Sequence, residues 1–451
     1  MSKDIGTGRL ELDHLEWFIK LSKLVGFRQF GFSDIRARQD AQLTERVRQR
    51  ALARIEDPQL IRVTDSSFFL GSVDYMVRDG PDGGRAYTAL ETNGGSSRGL
   101  TLLAPPDVER LIRGFVEMLR FVEADAAPLL VVGYPVGDSL LTEKFLVMHR
   151  LKEALEQQQP DVKVHVVSIE EYRVRRPILE EEAVIVLAPH SQTALSLQLR
   201  GDRVYLLDRR VHLIIGDGAV AQHPRLGHQR ADVVLANWIF PVTGDKSATY
   251  DATEQARDLV TPHGMYPLRF WQAKNREMLE QICERQRSEV DGLIIKPFRG
   301  SGGTGVLPVL ADSAVAEVVE DSLGEFKARY GHAHNPFPYT VCEKINPHKA
   351  AWRGGRHNFD IRVYVARQGD ELRPVGCLFR LAPRPDKGDH SKDSLIVNLS
   401  GYGGMATQRG LGLSRESLET VGLEDEDMVK IFAASTVLMA AIAHQSTAWP
   451  S

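Results

Sequence analysis

Cysteine is scarce: there are three in 451 residues, Cys283, Cys342 and Cys377, far apart and with no CxxC pair. A disulfide framework and a structural zinc site are therefore not indicated, and a reducing cytoplasm is the expected setting. A dominant charge sign is also lacking. Lys+Arg 56 against Asp+Glu 60 leave a formal net charge of -4, which gives no reason to expect a nucleic-acid or membrane-surface partner. The most apolar stretch, Ile431 to Ala443, is Ala-rich and shorter than the ~18 residues of a membrane span, so it reads as a core helix. The first residues do not show the basic-then-apolar profile of a signal peptide. No internal repeat, low-complexity tract or HExxH motif occurs, and the histidines form no metal-ligand set at helical spacing, which argues against a zinc enzyme.

At ~100–200 residues per domain, the length suggests two or three domains. Residues 9–56 read as helical, with Leu10, Leu12, Leu15, Phe18, Ile19 and Leu21 at roughly helical spacing, until Asp57 and Pro58 stop the pattern. Strands are then expected at Leu60–Val63, Ser72–Val77 and Ala86–Leu90, the last two joined by the Asp79–Gly84 turn cluster. From 107 the pattern alternates: helices over 107–123 and 142–157, with strands at Leu129–Val132, Val162–Val167, Ala183–Leu187, Val204–Leu207 and His212–Gly216. That alternation predicts a parallel α/β sheet. Gly133 and Gly137 do not complete a GxGxxG fingerprint, and Pro135 opposes the tight turn it needs, so a packing or substrate domain is the better reading. Residues 231–290 run strand, loop, helix, and 291–420 return to strands. A last helix, 424–445, starts on Glu424 to Asp427, which suits the positive end of a helix dipole.

The chemistry concentrates at Gly292 to Val306. An apolar strand ends in Lys296, and a loop with four glycines in six positions, 300–305, leads into a second strand. Glycines let backbone N–H groups close over phosphate oxygens, and a lysine adds a point charge. The lysine precedes the glycines and no helix follows, so this is not a P-loop. A surface lysine beside an ordinary hairpin tip is the plain alternative.

Three flanking features give the stretch a family likeness. Upstream lies Thr243-Gly244-Asp245-Lys246, and downstream Tyr339 to Ile345 forms a strand ending in Glu343 and Lys344. Next comes His357 to Val365, containing Phe359-Asp360-Ile361-Arg362-Val363-Tyr364-Val365. Together they resemble the ATP-grasp ligases, the last motif being similar to a strand of tubulin-tyrosine-ligase-type enzymes. The resemblance implies ATP contacts at Lys246, Lys296, Ser301, Gly302, Gly303, Glu343, Lys344 and Ile345, with catalytic roles for Lys296, Arg362 and Arg380. For Arg362, an i,i+2 salt bridge to Asp360 is the structural alternative. Asn398, in Leu395 to Gly401, resembles the family's Asn-bearing strand and is a possible-substrate position together with Ser96, Ser97 and Arg98.

The family's order then breaks, because the chain shows no carboxylate-bearing hairpin after these strands. The missing piece resembles Asp74 followed by Glu91 and Asn93 near the start, where Glu91 and Asn93 share one strand face and are the expected Mg2+ ligands. The resemblance therefore implies an α+β fold with an α/β domain: a circularly permuted ATP-grasp, closest to glutathionylspermidine-synthetase-like ligases, plus a parallel-sheet pre-ATP-grasp-like domain. Its expected parts are a helical segment 1–58, a metal hairpin 59–106, a substrate domain 107–230, a lid 231–345 and a catalytic subdomain 346–451. ATP and Mg2+ are the implied cofactors, and the implied activity is carboxylate–amine ligation through an acyl phosphate. The partners would be small-molecule or peptide carboxylates and amines, with a homodimer as one expectation for the assembly. A small-molecule kinase and a non-catalytic nucleotide-binding module remain alternatives.

Overall fold

In this computed structural model the structure describes residues 38–80, 83–94, 99–122, 127–135, 141–216, 231–298, 300, 302–388, 391–397, 399–401, 404–405 and 407–446. Of the segment expected to be helical, residues 9–37 lie outside that set. The remainder forms α1 (Ala41–Arg54), where the Asp40 carboxylate accepts N–H bonds from Gln42 and Leu43 and Leu43, Val47 and Ala51 are buried. Leu60 does not start a strand. Asp57 caps a 3-10 turn, Pro58–Ile61, with Pro58 at its first position, where a proline is pre-shaped for a helical start.

β1 (Leu70–Asp79) and β2 (Arg85–Asn93) form the expected hairpin. After it come α2 (Pro105–Val116), β3 (Leu129–Tyr134), α3 (Leu141–Gln158), β4 (Val164–Ser168), α4 (Ile169–Leu179), β5 (Ala183–Pro189), β6 (Leu213–Ile215) and β7 (Val234–Ala236). The last five strands of this series make a parallel sheet in the order β7-β6-β3-β5-β4. Val204–Leu206 does not join that sheet. Gly201, at φ 62°, turns the chain so that Arg203–Leu206 pairs back on Leu197–Arg200.

Next are α5 (Lys246–Gln255), β8 (Phe270–Ala273), α6 (Arg276–Gln286), β9 (Leu293–Lys296), β10 (Leu307–Val309), α7 (Val315–Tyr330) and β11 (Tyr339–Glu343). These four strands form an antiparallel sheet, β8-β11-β9-β10, with α6 and α7 supplying its core through Leu279, Ile282, Val319 and Leu323. Finally β12 (Lys349–Trp352), β13 (Gly355–Gln368), β14 (Glu371–Leu381), β15 (Gly410–Gly412) and α8 (Asp425–Ser446) complete the chain. The early hairpin joins these late strands in one antiparallel sheet, β2-β1-β13-β14-β15, with β12 beside β13.

Period-two alternation sorts that sheet into two environments. Phe359, Ile361, Val363 and Val365 of β13 pack with α8 and α1 in one core, while Asn358, Asp360, Arg362 and Tyr364 face a cavity. Helix α8 is long and apolar enough to cross a membrane, but 89% of its apolar window is buried inside the protein. It is the core helix expected from sequence, with each fully buried Leu or Ile contributing about 1.5–3 kcal/mol.

One buried side chain ties the parallel sheet to the hairpin. Asn237, just past β7, accepts from Phe69 N (2.6 Å), donates to Leu70 O (2.7 Å) and donates to Gly94 O. Gly94 directly follows Asn93 and lies so close to Ile239 and Thr243 that a Cβ there would come within 2.7 Å of both. Replacing Asn237 with Ala leaves three buried backbone groups without this partner. A loss of about 3 kcal/mol is expected, to be read as a lowered denaturant midpoint with unchanged m-value.

Candidate active site

Three groups of elements line one cavity of about 390 Å3: the hairpin β1–β2 with β13 and β14, the sheet β8–β11 with its glycine loop, and the N-terminus of α5. The reason α5 starts where it does is local. Asp245 caps the helix by accepting from Ser247 N (2.9 Å), which puts Lys246 in its first turn at the cavity wall. Helix α5 is fastened on both sides, through Thr249 to Thr92 of β2 (2.9 Å between hydroxyl oxygens) and through Ser247 to Thr340 of β11 (2.7 Å).

Lys296 ends β9, is 9% exposed and donates to the Tyr250 hydroxyl (2.6 Å), which in turn donates to Leu90 O (2.8 Å). Lys246 donates to Gly300 O (3.2 Å) and lies 3.7 Å from Glu91 Oε2. Both lysines therefore reach into the space between glycine loop and hairpin. The loop itself is anchored by α7: Gly305 N donates to Glu325 (2.8 Å), and Arg329 donates to Thr304 Oγ1 (2.6 Å). Gly302, Gly303 and Gly305 all have φ between 65° and 76°, the left-handed region that favours glycine.

On the opposite wall, two arginines and two aspartates interlock. Arg362 donates from Nε and Nη2 to the two oxygens of Asp74, both at 2.8 Å. Arg380 donates to Asp360 (2.6 Å from Nε, 2.5 Å from Nη2) and from Nη2 also to Asp74 Oδ2 (2.8 Å). Asp360 thus pairs across strands with Arg380, not with Arg362 two residues along, because the cross-strand register sets Asp360 opposite Arg380. Burial would push the Asp74 carboxyl up, but Arg362 and Arg380 outweigh it and hold it below the usual range. Burial and the neighbouring Asp74 charge raise Asp360, against the pull of Arg380.

The expected metal ligands come together. Asp74 lies directly opposite both Arg362 and Glu91 in the strand register, and Asp74, Glu91 and Asn93 all line the cavity. Among the described residues no group of three or more His, Cys, Asp or Glu side chains forms a metal cluster. The set nevertheless fits a hard ion that keeps waters and phosphate oxygens in its shell. Asp74 Oδ2 accepts two N–H groups but Oδ1 only one, so one lone pair of Oδ1 stays open. Asn93 has a buried amide nitrogen with no hydrogen-bond partner, so its amide is not committed to the protein.

Glu343, Lys344 and Ile345 also line the cavity. Glu343 is held by Arg269 (2.8 Å) with Arg78 at 3.7 Å, and Lys344 donates to Asn346 (3.1 Å). Ser301, Ser96, Ser97, Arg98 and Asn398 lie outside the described residues. Of the segment expected to be the Asn398 strand, Leu395 ends a helical turn, Lys392–Leu395, Ile396 and Val397 are irregular, and Ser400–Gly401 is a two-residue strand paired with Gly404–Met405; Asn358 Nδ2 donates to Ser394 O (2.8 Å).

Sequence reasoning missed four residues here. Tyr250 holds Lys296, and Glu325 is reached by Lys392 from the other wall of the cavity. Asn358, 1% exposed, presents an Oδ1 with no hydrogen-bond partner. Only the Asn358-to-Arg362 alternation carried a signal, since a strand that places Arg362 in a cavity must place Asn358 there too. The described lining holds six cationic side chains, Lys246, Lys296, Lys344, Lys392, Arg362 and Arg380, against four acidic ones, Asp74, Glu91, Glu343 and Asp360. That excess suits a polyanion.

In layout the chain resembles an ATP-grasp fold: two antiparallel-sheet bodies close on one cavity, and a parallel-sheet domain lies in the chain between the hairpin and the four-stranded sheet. No family model matches the chain, and no curated protein matches it. Solved structures similar to it include a protein of Methylobacillus flagellatus described as a candidate gamma-glutamylcysteine synthetase, at 12% identity and TM-score 0.46, covering 90% of this chain and 94% of that one. A glutathione-synthetase-like effector of Globodera pallida shares 12% identity at TM-score 0.38, covering 83% and 86%. A D-alanyl-alanine synthetase A of Vibrio cholerae shares 8% at TM-score 0.32, covering 63% and 78%. Likenesses this remote assign no activity and no substrate.

The four-membered ion network sets a pH-dependent prediction. A raised folded-state value for Asp360, about 6 against about 3.9 unfolded, means that the native state binds this proton more tightly, so stability falls as pH rises through that window. Arg380→Met removes the group that holds Asp360 down and extends the loss upward. The stability gap between variant and wild type is expected to widen from pH 5 to pH 8, reaching about 3–5 kcal/mol in urea melts.

Proposed function

We propose that the chain is an ATP-dependent carboxylate–amine ligase that forms an amide through an acyl phosphate and releases ADP and phosphate. The observation that carries this reading is the convergence of Lys246, Lys296, the glycine loop, Glu91, Asn93 and the Arg362–Arg380 pair on one cavity. The order of elements fits a circular permutation, since a hairpin encoded first completes a sheet encoded last.

The adenine end is the apolar stretch of Leu268, Ile294, Cys342 and Ile345, with the strand end Glu343–Ile345 beside it. Lys246 and Lys296 neutralise the phosphate oxygens, with Tyr250 fixing the Lys296 ammonium in place. A magnesium ion held by Glu91, Asn93 and the open side of Asp74 would add charge neutralisation between phosphate oxygens. A substrate carboxylate oxygen attacks the γ-phosphorus as the bond to the β–γ bridging oxygen breaks and ADP leaves. Arg362 and Arg380 line the same cavity as cations near the acyl phosphate, their Nε–Nη2 edges held in place by Asp74 and Asp360. An amine nitrogen then attacks the carbonyl carbon, phosphate leaves and a proton is released. The protein's part is positioning and charge compensation, with no covalent enzyme intermediate. Glu325, bonded to both Gly305 N and Lys392, keeps the glycine loop against the opposite wall, where closure shields the acyl phosphate from water. The three buried, unpaired cysteines fit a cytoplasmic setting.

Phosphate release from ATP and Mg2+ is expected to depend on both a carboxylate and an amine, with the amide detected by mass. Glu91→Ala should lower kcat at least about 100-fold. Phosphate transferred to a hydroxyl, with no amide formed, would identify a kinase instead.

A further inference from the structure

The cavity has a second apolar end, apart from the one proposed for adenine. Leu102, Leu378 and Leu399 are 4%, 1% and 4% exposed and belong, with Tyr364, to one apolar cluster, separate from the cluster at the adenine end. They converge: a Cβ built on Gly99 would lie 2.8 Å from the Tyr364 hydroxyl, 3.5 Å from Leu102 and 4.0 Å from Leu378. All five residues line the cavity.

The position of this end follows from the sheet register. Leu378 of β14 is opposite Arg362 of β13, so the two share a face, and Tyr364 follows Arg362 two residues along that face. Asp360 and Arg380 lie opposite each other on the other side of Arg362. Along the sheet, then, the wall runs from charged (Asp360, Arg380, Arg362) to apolar (Leu378, Tyr364). A carboxylate held beside Arg362 for attack on the γ-phosphorus has its own substituent directed along this gradient. An acidic substituent there would lose its hydration and meet the buried Glu143 carboxylate, which accepts from Gly99 N (3.1 Å), and this is costly.

We infer that the acid substrate is a carboxylate bearing an uncharged apolar substituent, seated against Leu102, Tyr364, Leu378 and Leu399. This rests on the ligase reading and adds to it the class of acid. Aliphatic and aromatic acids, including apolar amino acids, fit; glutamate and aspartate do not.

Hydroxylamine tests this without knowledge of the natural amine. It attacks the acyl carbonyl, the bond to the phosphate oxygen breaks, and a hydroxamic acid, phosphate and a proton result. The full chain would be given ATP, Mg2+, hydroxylamine and one acid at a time: hexanoate, leucine, phenylalanine, glycine, glutamate or aspartate. Hydroxamate formation with hexanoate, leucine or phenylalanine is expected at a kcat/KM at least tenfold above glutamate and aspartate. Leu378→Ala, which enlarges this end, is expected to shift the optimum toward bulkier acids with the KM for ATP unchanged. Preference for glutamate or aspartate overturns the inference and leaves the ligase reading standing. Absence of hydroxamate from every acid, with ATP bound normally, overturns both. Should Leu378→Ala fail to fold, the wild-type acid series still decides.

Discussion

The pairing of β1 with β13 is the constraint on which the site depends, and its chemical seal is the two-pronged bond from Arg362 to Asp74. Residues separated by 288 positions in the chain are thereby fixed on facing strands. Because Asp74 is also opposite Glu91, the same register that seats Arg362 delivers the hairpin oxygens to the cavity. A slip of β1 by one residue would turn Asp74 away from Arg362 and toward the α8 core, where an unpaired charge is expensive. Register, charge pairing and site geometry are thus one requirement.

Around that seam the protein balances charge closely. Two aspartates and two arginines cancel formally on the floor of the cavity, and Lys246 and Lys296 stand opposite them as cations that can meet an anion. Lys246 is lightly engaged, by a carbonyl and a distant carboxylate, while Lys296 is fixed by a hydroxyl in a buried setting. This division gives one adaptable and one preorganised contact. Preorganised dipoles and charges need no rearrangement when the reaction develops charge.

Much of this was legible in the chain. Alternation in Ser72–Val77 and Ala86–Leu90, and the glycine run after Lys296, mark local structure by local chemistry, and the structure has strands and a turn there. What could not be read is pairing. Whether Asp360 bonds Arg362 or Arg380 depends on a strand register that no single segment encodes, and the partnership of Lys392 with Glu325 spans 67 residues. Two local misreadings have local causes: Pro58 under an Asp57 cap winds a stretch rich in β-formers, and the Gly201 turn diverts Val204 from the parallel sheet. Tyr250 was hidden for a different reason. Within α5 it looks like any buried aromatic, and only the end of β9 beside it turns its hydroxyl into a support for Lys296.

The most direct test of the central claim is a crystal structure of the chain with Mg2+ and a non-hydrolysable ATP analogue. The account predicts a triphosphate lying between Lys246 and Lys296 on one side and Glu91 and Asn93 on the other, with the γ-phosphate nearest Arg362 and Arg380. A nucleotide bound outside this cavity, or a triphosphate that leaves Glu91 and Asn93 without contact to metal or phosphate, would contradict it.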